Sequence, residues 1–350
     1  MTHLFRPAPR RAMALARPSG GASRLVDVSA VITEALAAAG LMDAPATARA
    51  DGAHRLPATL SGPLRLPGGG GLSGLRSGLS PMRGGRGEPP SLPEGARDYR
   101  LFLPSPRGAA PAGVLVMLHG CTQDPEDFAR GTRMNEVAER HGLAVVWPQQ
   151  GPAHNPQSCW NWFRPEDQRR EGGEPALLAA ITRAVLGELG VPEGRAAVAG
   201  LSAGGAMAAI LAVTHPDLFA AAGVHSGLPA GSARDVASAF GAMRAGGGRQ
   251  ARGAPLIVFH GTADATVSPA NADALVPGAA MPGGATSHGG NGRRWSRAVA
   301  ADGSELWRVE GGGHAWFGGD ASGSFADPLG PDASEEIARF ALARMEGKAG

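Results

Sequence analysis

The chain has 350 residues, enough for one large α/β domain or two average ones, and a hydrophobic fraction of 43% excludes wholesale disorder. Its 33 basic and 31 acidic side chains nearly cancel, which gives no reason to expect a nucleic-acid partner. No apolar stretch approaches the roughly 18 residues of a membrane span, and the two cysteines lack the spacing of a zinc site.

Residues 1–95 differ in composition from the rest and are expected to form a flexible arm ahead of a folded domain at 96–350. Apolar residues at helical spacing between Arg24 and Met42 predict one short helix in the arm. Residues 61–95 are rich in Gly, Pro, Ser and Arg, which is linker composition. A solvated arm is the preferred interpretation, and attachment to a surface or granule is the alternative. The first residues lack the apolar core of a signal peptide, so the sequence does not demonstrate export.

From residue 98 onward, short apolar runs alternate with helical patterns. This alternation predicts an α/β fold with a mostly parallel central sheet and helices on both faces. The expected strands are 99–103, 114–118, 143–147, 196–199, 220–224, 256–260 and 305–309. The expected helices are 126–141, 175–189, 203–215 and 332–345.

The strongest motif is Gly200-Leu201-Ser202-Ala203-Gly204, between a strand pattern and a helix pattern. In that context G-x-S-x-G predicts a sharp turn that presents the serine hydroxyl above the sheet. A tight structural turn is the alternative. Ser202 is therefore the candidate nucleophile.

A serine nucleophile needs a base and a carboxylate that orients the base, and in the α/β-hydrolase fold they follow in the order serine, acid, histidine. Asp264 follows the strand at 256–260, and Asp273 and Asp302 suit a helix and a turn instead. His314 lies in a glycine-rich loop after the strand at 305–309.

Three other histidines compete with His314. His225 ends a strand, where a histidine can line a pocket. His260 is too near the acid, and His288 is expected in a solvated loop.

Acyl transfer also requires backbone donors for the oxyanion. The amide of Ala203, directly after the nucleophile, is one expected donor. The loop after the strand at 114–118 should supply the other, which we assign to the amide of Cys121.

Seven motifs, in consistent order across residues 97–344, resemble the esterase family that contains polyhydroxybutyrate depolymerases and their feruloyl and acetyl-xylan esterase relatives. They are LHGCTQ (118–123), WPQQ (147–150), SCWNWF (158–163), GLSAGGAM (200–207), HSGLP (225–229), HGTADATV (260–267) and GGGHAWFGGD (311–320). The resemblance implies a triad at Ser202, Asp264 and His314. It also implies a disulfide between Cys121 and Cys159, with two buried thiols as the alternative.

The family resemblance further implies an extracellular or periplasmic location, and the weak N-terminal signal keeps a cytoplasmic location open. It implies a polyester or small ester substrate. The expected double-displacement chemistry of the serine needs no metal or organic cofactor. The preferred substrate is a short-chain polyhydroxyalkanoate, and a feruloyl or acetyl ester of plant polysaccharide is the alternative. A peptidase and a non-enzymatic binding protein on the same fold are further rivals. The sequence is silent on oligomeric state.

Aromatic residues are scarce, with 17 in the chain, yet several cluster near the motifs. Core packing is one interpretation of Trp160, Trp162 and Trp316. The other is an apolar rim that grips substrate, to which His225 would add a pocket-lining side chain.

Overall fold

The computed structural model of the chain describes residues 97–105, 110–279, 286–288 and 292–347. The expected arm at 1–95, with its expected helix, lies outside the described residues. All candidate site residues named above lie within the described ranges.

The largest sheet of the described residues has nine strands. They are β1 (Tyr99–Phe102), β2 (Gly113–Leu118), β3 (Leu143–Pro148), β4 (Ala196–Leu201), β5 (Phe219–His225), β6 (Leu256–Gly261), β7 (Thr286–His288), β8 (Arg294–Val299) and β9 (Glu305–Val309). The spatial order is β1-β3-β2-β4-β5-β6-β9-β8-β7. The six strands from β3 to β9 in this order are parallel, and antiparallel strands stand at both edges. His288 thus ends a strand, and its expected place in a loop was wrong.

Every residue of β2, β3, β4, β5 and β6 is buried. A parallel sheet covered on both faces requires near-continuous apolar strands, which explains why these runs were readable in the sequence. Strand β8 reads RWSRAV, is only partly buried and was not predicted. Its arginines interrupt the apolar run that marks the inner strands.

Seven α-helices lie among the described residues. They are α1 (Pro125–Thr132), α2 (Met134–His141), α3 (Gly173–Leu189), α4 (Ala203–Thr214), α5 (Val236–Ala245), α6 (Ala270–Leu275) and α7 (Ala333–Gly347). None of the helices in this part of the chain is both long and apolar enough to cross a bilayer. A small second sheet pairs β10 (Trp316–Phe317) with β11 (Ala326–Asp327) in parallel.

The single helix expected at 126–141 is two helices. Arg133 adopts a left-handed conformation with a φ of 52°, which ends α1 and starts α2. The α1 start is fixed by Asp124, whose side chain accepts a hydrogen bond from the Asp127 amide at 2.7 Å. Arg133 itself is neither Gly nor Pro, and Gly131 lies inside α1, so the break was not predicted.

Two apolar cores lie on opposite faces of the sheet. One contains buried residues of α3, α4, α5 and α6, and the other contains buried residues of α1, α2 and α7. The structure therefore confirms the predicted α/β architecture, a mostly parallel sheet with helices on both faces.

Candidate active site

Ser202, Asp264 and His314 follow three strands that end at the same edge of the sheet. Ser202 follows β4, Asp264 follows β6 and His314 follows β9. With β5 between β4 and β6, these strands are consecutive parallel neighbours. Their carboxyl ends therefore meet at one edge, where open α/β sheets bind ligands.

Ser202 occupies a strained turn between β4 and α4. Its φ of 57° and ψ of −117° lie where non-glycine residues are rarely found, and such conformations persist where the surrounding structure enforces them. Its amide donates to the carbonyl of His225 at 2.9 Å. The residue retains 9% of its surface exposed, at the first turn of α4.

Two glycines make this turn possible. A Cβ on Gly200 would overlap the carbonyl group of Gly204, and a Cβ on Gly204 would overlap the carbonyl oxygen of Leu118. Only glycine permits β4, α4 and the end of β2 to approach this closely. The G-x-S-x-G spacing therefore reflects backbone contact on both sides of the serine.

Asp264 is held in its turn by two backbone donors. Its Oδ1 accepts from the amides of Thr266 and Val267, both at 2.9 Å. Burial alone would raise the pKa of Asp264, but hydrogen bonds from His260 and His314 outweigh it and hold the pKa well below the ordinary value. The side chain is therefore an ionised carboxylate at neutral pH.

His314 contacts Asp264 directly, with Nδ1 2.8 Å from Oδ2. Because the carboxylate can only accept, Nδ1 carries the proton and Nε2 holds the lone pair of the neutral ring. The two loops are joined along the backbone, since the Ala263 amide donates to the carbonyl of Gly312 at 2.9 Å. A Cβ on Gly261 would overlap that same carbonyl, so glycine is required there.

The structure thus pairs Asp264 with His314 and places Ser202 at the same sheet edge. No hydrogen bond joins Ser202 Oγ to His314 among the contacts of the described residues. The interpretation of the three side chains as one unit rests on the shared edge and on the tautomer of His314.

The two expected oxyanion donors lie on adjoining segments. The Ala203 amide is the first of α4, and amides in the first turn of a helix have no acceptor within the helix. Cys121 lies in the loop after β2. Within the described part of the chain, neither amide donates to a protein acceptor.

The loop that carries Cys121 is fixed on both sides of this residue. The Gly120 amide donates to Gln123 Oε1 at 2.9 Å, and the Thr122 amide donates to the carbonyl of Gln157 at 2.7 Å. Cys121 itself forms a disulfide with Cys159, so the bond implied by the family resemblance is present. The amide between these anchors has little freedom to move.

A buried imidazole supports the same loop. Burial lowers the pKa of His119, so the ring is neutral. Its Nδ1 donates to the carbonyl of Gly120 at 2.8 Å, and its Nε2 accepts from the Gln150 amide at 3.1 Å. Its own carbonyl accepts from the indole of Trp160 at 3.1 Å. Both ring nitrogens are satisfied, which assigns His119 to the scaffold.

A buried carboxylate, Glu174 of α3, accepts hydrogen bonds from the segment that carries Cys159. It accepts from the Asn161 amide at 2.7 Å, from the Asn161 side chain at 2.8 Å and from Gln150 Nε2 at 2.6 Å. Gln150 also donates to the carbonyl of Cys159 at 2.9 Å. Burial raises the pKa of Glu174 to about 7 despite these donors.

The tryptophans of the aromatic cluster are buried, as the core-packing interpretation expects. Trp160 and Trp316 are 0% and 1% exposed, and Trp162 is 6% exposed and packs edge-on against Phe163. The indole of Trp316 donates to Ser334 Oγ at 3.0 Å. These side chains pack within the two cores, which is the alternative that the sequence left open.

His225 is also buried and hydrogen-bonded inside the molecule. It is fully buried, and burial holds its pKa well below the ordinary value, so the ring is neutral. Its Nε2 accepts from the Phe317 amide at 3.1 Å, while its carbonyl accepts from the Ser202 amide. His225 therefore links the serine turn to the segment that follows His314.

The sequence analysis gave no role to two buried polar residues of this region. Glu174 lies at the start of a helix, where an acidic residue is ordinary, and nothing local reveals that it is buried. His260 was set aside as too near the acid to act as its base, yet its Nε2 lies 3.4 Å from Asp264 Oδ2. The spacing of four residues was the signal that a contact across the turn was possible.

Comparison with known proteins gives a family match over more than half of the chain. The protein-family model described as esterase PHB depolymerase matches residues 97–293. The match includes Ser202 and Asp264, and His314 lies beyond its end.

Two curated proteins are similar to this chain over part of their length. Poly(3-hydroxyalkanoate) depolymerase C of Paucimonas lemoignei is 32% identical over 196 residues, which cover 51% of this chain and 47% of that protein. Probable acetylxylan esterase A of Aspergillus fumigatus is 31% identical over 144 residues, covering 40% and 37%. This chain therefore spans about half or less of the length of these relatives.

The structure of acetyl xylan esterase from Aspergillus awamori matches with a TM-score of 0.52 at 21% identity, covering 62% of this chain and 88% of that one. At this identity the likeness concerns the fold, and it supports the expected α/β-hydrolase architecture.

Proposed function

The chain belongs to the esterase PHB depolymerase family, and on that premise we propose that it hydrolyses carboxylic esters with Ser202 as the nucleophile. The observation that carries the proposal is the 2.8 Å contact between Asp264 and His314, at the sheet edge where Ser202 stands in a strained turn. A serine hydroxyl is a weak nucleophile until a base accepts its proton, and a carboxylate orients that base.

In the proposed reaction, His314 Nε2 accepts the proton of Ser202 Oγ as the oxygen attacks the ester carbonyl carbon. The oxyanion accepts hydrogen bonds from the amides of Cys121 and Ala203. The tetrahedral intermediate then collapses to an acyl-serine, and His314 returns the proton to the departing alcohol. Water, deprotonated by the same imidazole, attacks the acyl-serine. The acyl–oxygen bond breaks, the acid leaves, and His314 returns the proton to Ser202 Oγ.

Asp264 contributes charge and orientation to this cycle. Because its pKa is held below the ordinary value, the carboxylate stays ionised and stabilises the imidazolium that forms at His314. The proton passes only between Ser202, His314, the alcohol and water. The proposed chemistry therefore invokes no metal or organic cofactor.

The proposed substrate is a short-chain poly-3-hydroxyalkanoate, such as poly-3-hydroxybutyrate, or its oligomers. Similarity to poly(3-hydroxyalkanoate) depolymerase C supports this choice. An acetyl or feruloyl ester of plant polysaccharide is the second candidate, and similarity to probable acetylxylan esterase A favours it.

Release of 3-hydroxybutyrate from amorphous polymer and from soluble oligomers tests the substrate, with a folded Ser202→Ala variant as the control. Release that disappears in the variant supports the polyester substrate. Cleavage of acetylated xylan or methyl ferulate without polymer cleavage, if it also depends on Ser202, moves the substrate to plant esters. Inactivity on every ester would contradict the proposed chemistry.

The disulfide bears on where this chemistry takes place. Disulfides persist in oxidising compartments and are rare in the cytosol, so an extracellular or periplasmic location is part of the proposal. Alkylation of protein from the producing cells without reductant should leave Cys121 and Cys159 unmodified. Two alkylated thiols would contradict this location.

A further inference from the structure

His260 is a buried histidine that the proposed reaction does not use. It lies near the end of β6 and is 1% exposed. Its Nε2 lies 2.9 Å from the carbonyl of Val267 and 3.4 Å from Asp264 Oδ2. Because a carbonyl oxygen can only accept, Nε2 carries the proton and donates it to Val267, while Asp264 Oδ2 lies 3.4 Å from the same nitrogen.

The other ring nitrogen of His260 has no hydrogen-bond partner. Its Nδ1 is buried and unpaired. A buried polar atom without a partner destabilises the folded state, and an apolar side chain of similar size would avoid this cost. Packing alone would favour an apolar side chain here, so we attribute the histidine at position 260 to the hydrogen bond that its Nε2 donates.

His260 and Asp264 together hold both backbone groups of Val267. The Val267 carbonyl accepts from His260, and the Val267 amide donates to Asp264 Oδ1. The turn between residues 264 and 267 is thus closed from β6 on one side and by the carboxylate on the other. The remaining oxygen, Oδ2, faces His314.

We propose that His260 is a positioning residue: through Val267 and Asp264 Oδ2 it fixes the carboxylate that orients His314. The proposal rests on the proposed function and deepens it. It gives Asp264 two imidazole neighbours with different tasks, since His314 exchanges the proton with Ser202 and His260 keeps its own.

The second imidazole also affects the charge that His314 experiences. An N–H within 3.4 Å of Oδ2 offsets part of the negative charge on the oxygen that stabilises protonated His314. Without it, Asp264 should stabilise positive charge on the His314 ring more strongly, and the acid limb of the kcat/KM profile should move to higher pH.

Other charged or titratable groups also face this cluster. His225 of β5 is one, and Arg308 of β9, which pairs with Asp273 of α6, is another. The variants below leave all of these groups in place.

The test compares His260→Gln, whose amide can place an N–H near the position of Nε2, with His260→Leu and His260→Asn, which cannot reach Val267. Each full-length variant is assayed on p-nitrophenyl acetate across pH 5–9, with circular dichroism and thermal unfolding as folding controls. We expect the Leu and Asn variants to lose about 10- to 100-fold in kcat. Their acid limb should move up by about 0.5–1 pH unit, and Gln should restore most of both.

Leu and Asn variants with wild-type kcat and an unmoved acid limb would overturn the proposal. It would also be overturned if kcat fell equally in all three variants with the limb unchanged, because that pattern indicates a merely structural role. If Leu fails to fold, the comparison of Gln with Asn decides by the same criteria. A wild-type protein that hydrolyses no ester would overturn the proposed function, whereas an active wild type with unaffected variants overturns this proposal only.

Discussion

The loop that carries Cys121 is joined to the segment that carries Cys159 by a disulfide and a buried polar network. The loop that carries His314 is held instead by a close backbone contact between Gly261 and Gly312. Both loops belong to one candidate site. The first region, which contains the oxyanion donor Cys121, depends on groups that titrate or can be reduced. The second, which contains Asp264 and His314, depends on close backbone approach. The two regions should therefore fail under different conditions.

The largest expected effect comes from removing the negative charge of Asp264 in the second region. Asp264→Asn would present an amide to His314 and favour the wrong tautomer of the imidazole, so kcat should fall by about 10⁴-fold. Ester hydrolysis measures the loss. Asp302→Asn, at an exposed turn, is the matched control and should retain wild-type activity. A loss below about tenfold in Asp264→Asn would contradict the assigned role.

The next effect comes from opening the disulfide in the first region. The Cys121→Ala/Cys159→Ala double variant releases a cross-link across a sequence separation of 38, which should cost about 4 kcal/mol in the free energy of unfolding. Freeing the Cys121 amide should also lower kcat by about 10- to 100-fold. Guanidinium unfolding and ester hydrolysis measure the two losses.

A reducing agent provides the control for this variant. Dithiothreitol should lower the activity of the wild type and leave the double variant unchanged. Wild-type activity that persists after complete reduction would show that the bond does not hold the oxyanion loop.

Glu174 should make the first region sensitive to pH. Burial raises its pKa from the ordinary 4.5 to about 7, so the folded state keeps a proton that the unfolded chain releases. The contribution of this group to the free energy of unfolding is fully present below about pH 4.5. It falls as pH rises toward 7, by up to about 3 kcal/mol.

Denaturant unfolding of the wild type and Glu174→Gln at several pH values measures this contribution. The stability of the wild type relative to the variant should decrease from pH 4.5 to 7 and then level off. A relative stability that increases over this range would contradict the raised pKa.

The smallest expected effect is that of Trp160→Phe, which tests whether Trp160 packs in the core or contacts substrate. Trp160→Phe keeps an aromatic ring but removes the N–H that donates to the His119 carbonyl, which should cost about 1 kcal/mol of stability. KM for a short ester should not change, because the side chain is fully buried. A severalfold rise in KM without loss of stability would restore the rim interpretation.

The difference between the two regions also explains what the sequence could predict. The serine turn and the loops of Asp264 and His314 were recognisable because each motif combines glycines with a strand pattern beside it. Gly200, Gly204 and Gly261 are required by close backbone contacts, so the motifs retain glycine at these positions.

The polar network of the first region was harder to predict. Glu174 becomes a buried hub only when α3 packs beside the segment of Asn161, and its own neighbours in sequence do not indicate burial. The burial of Trp160 and Trp316 likewise depends on tertiary packing, which composition cannot resolve. The helix break falls at Arg133, a residue type that is ordinary within helices, and the nearby Gly131 lies inside α1.

Covalent labelling of Ser202 tests the central claim most directly. The full chain is treated with a phosphonofluoridate, the modified peptide is located by mass spectrometry, and ester hydrolysis is followed in parallel with Ser202→Ala as the control. The account predicts one adduct, on Ser202, formed in step with the loss of activity. It also predicts a variant that is neither labelled nor active, with kcat/KM lower by about 10⁴-fold or more. An adduct on another residue, or hydrolysis that persists in Ser202→Ala, would contradict it.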